Sequence, residues 1–430
     1  MPGGARVIGA DRGQRCWDLV DLESQLPAEH RARVVWGFVE TLDLRALYAP
    51  IKAREGHAGQ PATDPAVLLA LWLYATLEGV GSARALERLS EMHTAYRWLR
   101  GGAPVNRDLL SEFRRLHGET LDRLLTQSLT ALLAEGLVTL AEVAIDGTKL
   151  RAGAGPRSLA GRERLGRLEQ QVAARVAALR AEVEADPAAA EQRRTQQALR
   201  AATAQAQRIA QAKATLDALE REKAERAKRH AEEEARKRGP RVAVSDPEAR
   251  TMRFADGATR PAWNLQVAAA EGFVLAVEPT DRRNDTGLAQ GLIAQVGARC
   301  GGAPTRLLAD TRCITQADIE AFARLHPEMT VYAPPPADQA DATAESVRRR
   351  ESRRRREPAP IQRWRERMAS EAGQQIYRRR KQIERVHAQM KNRGLGRLLV
   401  RGLQKVRAVA LLHAIAHNLW RAHRLRTAAA

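Results

Sequence analysis

The chain has 430 residues, of which 44% are hydrophobic, so two or three domains with a sizeable core are available. Its formal net charge is +20, which favours a polyanion as partner, and nucleic acid before a membrane surface. Three cysteines without a CxxC pair exclude a zinc ribbon and fit a reducing compartment, and no apolar run is long enough to span a bilayer.

The first fifteen residues lack the apolar stretch of a signal peptide, so a cytoplasmic protein is expected. Residues 1–60 read as a loose lead-in followed by short helices. Val35, Phe38, Val39 and Leu42 recur at helical spacing within 31–48, and Gly56, Gly59 and Pro61 then break the chain. Asp64-Pro65 has the form of an N-cap followed by a first-turn proline, with Val67, Leu68, Leu71, Trp72 and Ala75 as the buried face behind it. Gly79 to Gly81 is a turn, and Ser82 can cap the next helix. Helix, glycine turn, helix is the outline of a helix-turn-helix, an outline that any small helical bundle also shows. A further helix starts near Asn106, and a long one carries Leu121, Leu124, Leu125, Leu129, Leu132 and Leu133.

Val143 to Lys149 reads as a short apolar strand ending in the carboxylate of Asp146. A buried carboxylate needs a partner, and a metal ion, an N-cap or a salt bridge with Lys149 would each serve. Residues 159–238 differ in composition, being rich in Ala, Arg, Glu and Gln. Leu165, Leu168, Val172, Val176, Leu179 and Val183 step by three and four, Asp186-Pro187 interrupts, and a second run carries Leu199, Ile209, Leu216 and Leu219. The expectation is an antiparallel helical hairpin.

Beyond it, 263–270 and 273–279 read as strands joined at Glu271-Gly272, and 287–296 as a helix. Arg306 to Asp310 is a second apolar run ending in aspartate, and Thr330 to Tyr332 a last strand. Arg348 to Arg356 is an arginine-dense block, readable as a charged linker or as a contact to a DNA backbone. The apolar segment from Arg401 to Trp420 is expected to pack under the helix that precedes it.

That preceding stretch, YRRRKQIERVHAQMK, places Tyr377, Arg380, Glu384 and Lys391 at steps of three, four and seven. On one α-helix those steps fall within roughly 60° of a single face. One carboxylate then sits among cations, as metal-dependent phosphoryl transfer on DNA requires, although a solvated basic helix has the same look.

The spacing Tyr377-x2-Arg380-x3-Glu384-x6-Lys391 resembles the Tyr–Arg–Glu–Lys signature of the DDE transposases of bacterial insertion sequences. PVNRDLLSEFRRLHGETLDRLLTQSL, the Asp-Gly-Thr-Lys setting of Asp146, the Arg306–Asp310 strand and the last apolar segment are similar to other parts of that family. The resemblance implies an α/β protein: an RNase H-like catalytic domain with a helical-hairpin insertion, preceded by an all-α N-terminal domain. The division expected is 1–135 as a helical DNA-binding domain and 136–430 as the catalytic domain, interrupted by 159–238 as a helical coiled-coil insertion. It also implies catalytic and metal-holding roles for Asp146, Asp310 and Glu384, with Asp146 and Asp310 on neighbouring strands. Two Mg²⁺ ions about 3.5–4 Å apart are the implied cofactor, with Mn²⁺ as a substitute. Tyr377, Arg380 and Lys391 are then DNA-binding residues. Double-stranded DNA, both terminal inverted repeats and target, is the implied partner of a homodimer associated with the nucleoid. The resemblance breaks at Thr311-Arg312-Cys313, where the family has a Gly-aromatic pair, and this leaves Asp285 and Asp318 as rivals to Asp310.

Overall fold

A computed structural model describes residues 21–53, 61–185, 189–228, 239–336 and 344–429. Cys16, the breaks at Gly56 and Gly59, and the Asp186-Pro187 interruption lie outside the described residues. The chain is mixed α/β, with a mostly helical N-terminal region and a mixed sheet.

The N-terminal region holds helices Arg31–Glu40, Arg45–Tyr48, Pro65–Leu77, Ala83–Met92, Thr94–Arg100, Arg107–Leu116 and Gly118–Ala134. Their caps follow from sequence. Asp64 accepts a hydrogen bond from Ala66 N at 2.8 Å, Ser82 from Ala85 N at 3.3 Å and Asn106 from Leu109 N at 2.8 Å. The Pro65–Leu77 helix departs from the one-sided burial expected of it, because every one of its residues is buried. Its sequence is apolar all round, so it can only sit inside the molecule. The Gly79–Gly81 turn behind it is tethered to other parts of the chain, although both glycines stay exposed. Gly81 O accepts from Arg114, and Gly79 lies against Gly394, which has φ +93° and whose β-carbon position is 3.1 Å from Gly79 O. A helix-turn-helix whose first helix is buried this way leaves the turn and the polar face of Ala83–Met92 to solvent.

The strands are β1 (Glu142–Arg151), β2 (Leu159–Ala160), β3 (Val242–Ala243), β4 (Arg250–Arg253), β5 (Thr259–Ala270), β6 (Phe273–Thr280), β7 (Arg306–Ala309) and β8 (Thr330–Tyr332). Six of them form one sheet. β1 lies at its centre, antiparallel to β5 and parallel to β7; β6 and β4 pair with β5, and β8 pairs in parallel with β7. β5 and β6 meet at Glu271 and Gly272, whose φ values of 50° and 79° suit a tight hairpin. Helices Ala289–Cys300 and Gln316–Leu325 connect the later strands.

Between β1 and β4 the chain runs out through Arg162–Ala185 and Ala189–Ala227, two helices packed against each other. The short β2–β3 ladder closes the foot of this hairpin, where Ala160, Leu165, Ala212, Leu216 and Val242 form a small core of their own.

After β8 come Ala344–Arg355, Ala359–Ala369, Glu371–Arg378, Lys381–Met390 and the 27-residue Leu403–Ala429. Two expectations need correction here. Tyr377 to Lys391 is not one helix. Arg379 and Arg380 form a junction held by hydrogen bonds of three-residue reach, from Arg380 N to Tyr377 O at 2.9 Å and from Ile383 N to Arg380 O at 3.0 Å. The final helix also does more than underlie its predecessor. It packs on β6, on Gly118–Ala134 and on Pro65–Leu77, so one continuous apolar core runs from Leu26 to Ala422.

Candidate active site

Asp146 does not end its strand as expected; it sits in the middle of β1, which continues to Arg151 because β5 pairs with it throughout. Ile145 is in register with Ala309 of the parallel neighbour β7, so the next step along the two chains is Asp146 beside Asp310. Lys149 is not the partner of Asp146. Its ammonium donates to Arg253 O at 2.6 Å.

A third aspartate joins them. Asp285 Oδ1 accepts hydrogen bonds from Gln266 Nε2 at 2.6 Å and Asn264 Nδ2 at 2.8 Å, both from β5. It lies over Gly147, where a β-carbon would stand 1.9 Å from that oxygen, so the position beside Asp146 has room for glycine alone. Asp318, the other rival, is committed elsewhere. It caps the Gln316–Leu325 helix reciprocally with Thr315 and accepts from Gln290 Nε2 at 2.7 Å.

Burial, then the charges of Asp285 and Asp310, push the Asp146 carboxyl up to about 6, while Arg380 and the Gly147 amide oppose the rise. Burial, and then the same three aspartates, push the Cys313 thiol up to about 12. Thr311 N donates to Asp310 Oδ1 at 2.8 Å and Cys313 N to Asp310 O at 3.0 Å. These bonds make a tight turn at the very place where the family's Gly-aromatic pair is missing. Cys313 turns inward and Arg312 outward into solvent.

Across from the aspartates stands the helix junction. The Arg380 guanidinium lies between two carboxylates, with Nη1 3.6 Å from Asp146 Oδ2 and Nη2 3.2 Å from Glu384 Oε1. Its carbon sits 5.9 Å from the centre of the Tyr377 ring, which packs against the core. Glu384 keeps 57% of its side chain exposed. Burial pushes the Lys391 ammonium down, and Asp146 holds it up. His387, which drew no attention in the sequence, puts Nδ1 3.6 Å from Asp146 Oδ2. Burial pushes it down to about 4, so it is neutral, and its buried Nε2 meets no partner among the described residues. The signal for it existed. His387 completes the stripe 377, 380, 384, 387, 391, whose steps alternate three and four.

The donor set suits a hard divalent cation, since it consists of carboxylate oxygens. Burial first, and then the charges of Asp285 and Asp310, raise the Asp146 carboxyl, as expected of an acid held away from water beside other acids. Among the described residues, no three His, Cys, Asp or Glu side chains converge closely enough to hold an ion as they stand. Arg380 occupies the space between Asp146 and Glu384, so both would exchange the guanidinium for an ion on binding it.

Residues 338–423 match the family model described as a transposase DDE domain, and residues 20–116 match that of a transposase domain known as DUF772. The two matches support a DDE transposase. The first contains Tyr377, Arg380, Glu384, His387 and Lys391, while Asp146, Asp285 and Asp310 fall outside both. No curated protein and no solved structure matches the chain. Among the described residues, no helix is long and apolar enough to cross a membrane.

Proposed function

We propose that this chain is the transposase of an insertion sequence of the Tyr–Arg–Glu–Lys branch, cutting and joining DNA in a Mg²⁺-dependent reaction on an RNase H-like sheet. The observation that carries this reading is the juxtaposition of Asp146 and Asp310 at adjoining register positions of parallel strands, facing Arg380, Glu384 and Lys391. In this reading Asp146, Asp310 and Glu384 hold two divalent ions, and Asp285 is a further carboxylate beside them. Such ions, when bound, supply Lewis-acid stabilisation of the attacking and leaving oxygens.

The chain's own residues then have separable tasks. Arg380 and Lys391 hold the phosphates flanking the scissile bond, and Tyr377 lies against the DNA near them. Neutral His387 fills the wall behind Asp146 and keeps water from it. By role, 1–135 recognises the element's terminal repeats and 136–430 performs the chemistry, with 159–238 as a hairpin inserted into it. A homodimer on double-stranded DNA, working in the cytoplasm at the nucleoid, completes the reading. A catalytically inactive DNA-binding descendant is the second reading, favoured by the departure at Thr311-Arg312-Cys313; a metal-dependent nuclease without strand transfer is a third.

The test uses labelled element ends with Mg²⁺. Wild type should cleave and then join them to a second duplex, whereas Asp146→Asn, Asp310→Asn and Glu384→Gln should each abolish cleavage with DNA affinity nearly unchanged. Cleavage without joining would select the nuclease, and binding without either would select the inactive descendant. If Asp310→Asn alone stays active, Asp285 takes its place.

A further inference from the structure

The residues that follow two of the aspartates, Thr286 and Thr311, open onto a cleft of about 810 Å³. Its far wall is made by the Ala344–Arg355 helix and the middle of the Ala359–Ala369 helix. Six arginines line it, Arg312, Arg349, Arg350, Arg353, Arg354 and Arg365, against one acid, Glu357. That acid is already engaged, accepting from Arg365 at 2.6 and 2.9 Å. Arg349 is paired with Glu345 in the turn before it.

So many guanidiniums around one concavity repel one another, and a polyanion running through it relieves the repulsion. Each guanidinium presents a planar fork of donors suited to phosphate oxygens. The one aromatic side chain lining the cleft, Trp364, is buried and donates its indole N–H to Ala333 O at 2.9 Å, which leaves no ring for a base to stack on. What the lining can recognise is therefore a sugar–phosphate backbone and not a base sequence.

We propose that this cleft is a binding site for the DNA backbone, leading one strand past Arg312 to the aspartates. Arg312, the residue that breaks the family resemblance, is in this view a phosphate contact. The inference rests on the transposase reading for its choice of DNA, and the experiment separates the two.

Full-length protein would be titrated with element-end DNA and with a scrambled duplex of equal length over a range of salt. Arg349→Gln combined with Arg353→Gln should weaken both duplexes alike and lower the slope of log affinity against log salt by about one per lost phosphate contact, hence about two. Arg312→Gln should lower it by about one. The corresponding lysine variants should restore most of the slope, and unchanged melting temperatures would exclude misfolding. A wild-type slope in both variants, a loss confined to one sequence, or a much tighter grip on RNA with the same arginine dependence would each overturn the proposal. Mg²⁺-dependent cleavage by wild type is scored in the same samples. Its absence alongside the expected slopes removes the transposase and keeps the cleft; its presence alongside wild-type slopes in the variants does the reverse.

Discussion

Asp146 shows what a buried carboxylate does to the protein that carries it. In the unfolded chain its carboxyl has the ordinary aspartate value of 3.8, whereas in the fold it stands at about 6. Between those values the folded protein keeps a proton that the unfolded chain has released, so stability falls as pH rises through that window, and the deficit is complete above it. Two units correspond to at most about 3 kcal/mol. Asp146→Asn should therefore melt higher than wild type at pH 8 in a chelator, and the difference should vanish near pH 4. Calorimetry at the two pH values checks this, and equal melting curves at pH 8 would show that the carboxylate is better compensated than its neighbours imply. The sequence makes Asp146, Asp310 and Glu384 legible as candidates, because each is a lone acid in an apolar or cationic run. It offers Asp285 only as a rival to Asp310, beside Asp318, and leaves His387 obscure. Asp285 earns its place through Gly147 and two amides of β5, contacts that exist only once distant segments are paired.

At the scale of elements, local signals served well where a side chain caps or a glycine turns. The caps at Asp64, Ser82 and Asn106, the Glu271-Gly272 hairpin and the Thr330–Tyr332 strand all lie where their residues predict. The break at Arg379-Arg380 was not legible, since neither glycine nor proline marks it; the junction is set by what each half packs on. Another tertiary device is Asn418 on the last helix, which is 1% exposed. Its side-chain oxygen accepts from Val274 N and its amide donates to Val274 O, both at 2.8 Å, so it imitates a neighbouring strand along the free edge of β6. Asn418→Ala strands a buried N–H and a buried carbonyl, at a cost of about 2–4 kcal/mol. A shift of the urea midpoint measures it, and a loss below about 0.5 kcal/mol would mean that water takes over both bonds.

For the whole molecule, the proposed division by role at residue 135 does not coincide with a division of the core. The buried side chains of Pro65–Leu77 and Gly118–Ala134 pack on the Leu403–Ala429 helix, which also covers β6. A fragment of residues 1–135 should therefore expose this apolar face, and it should aggregate or melt well below the full chain in size-exclusion and circular-dichroism measurements. A monomeric, cooperatively melting fragment would show that the helices close on their own. The same arrangement bears on how the protein is made. Synthesis delivers the N-terminal helices first and the sheet next, and the helix on which both close leaves the ribosome only after them. Until it emerges, neither half is finished, so a message that stops short of Leu403 yields two exposed apolar faces in place of a smaller working protein. Completion of the fold thus reports that translation has passed the Leu403–Ala429 helix.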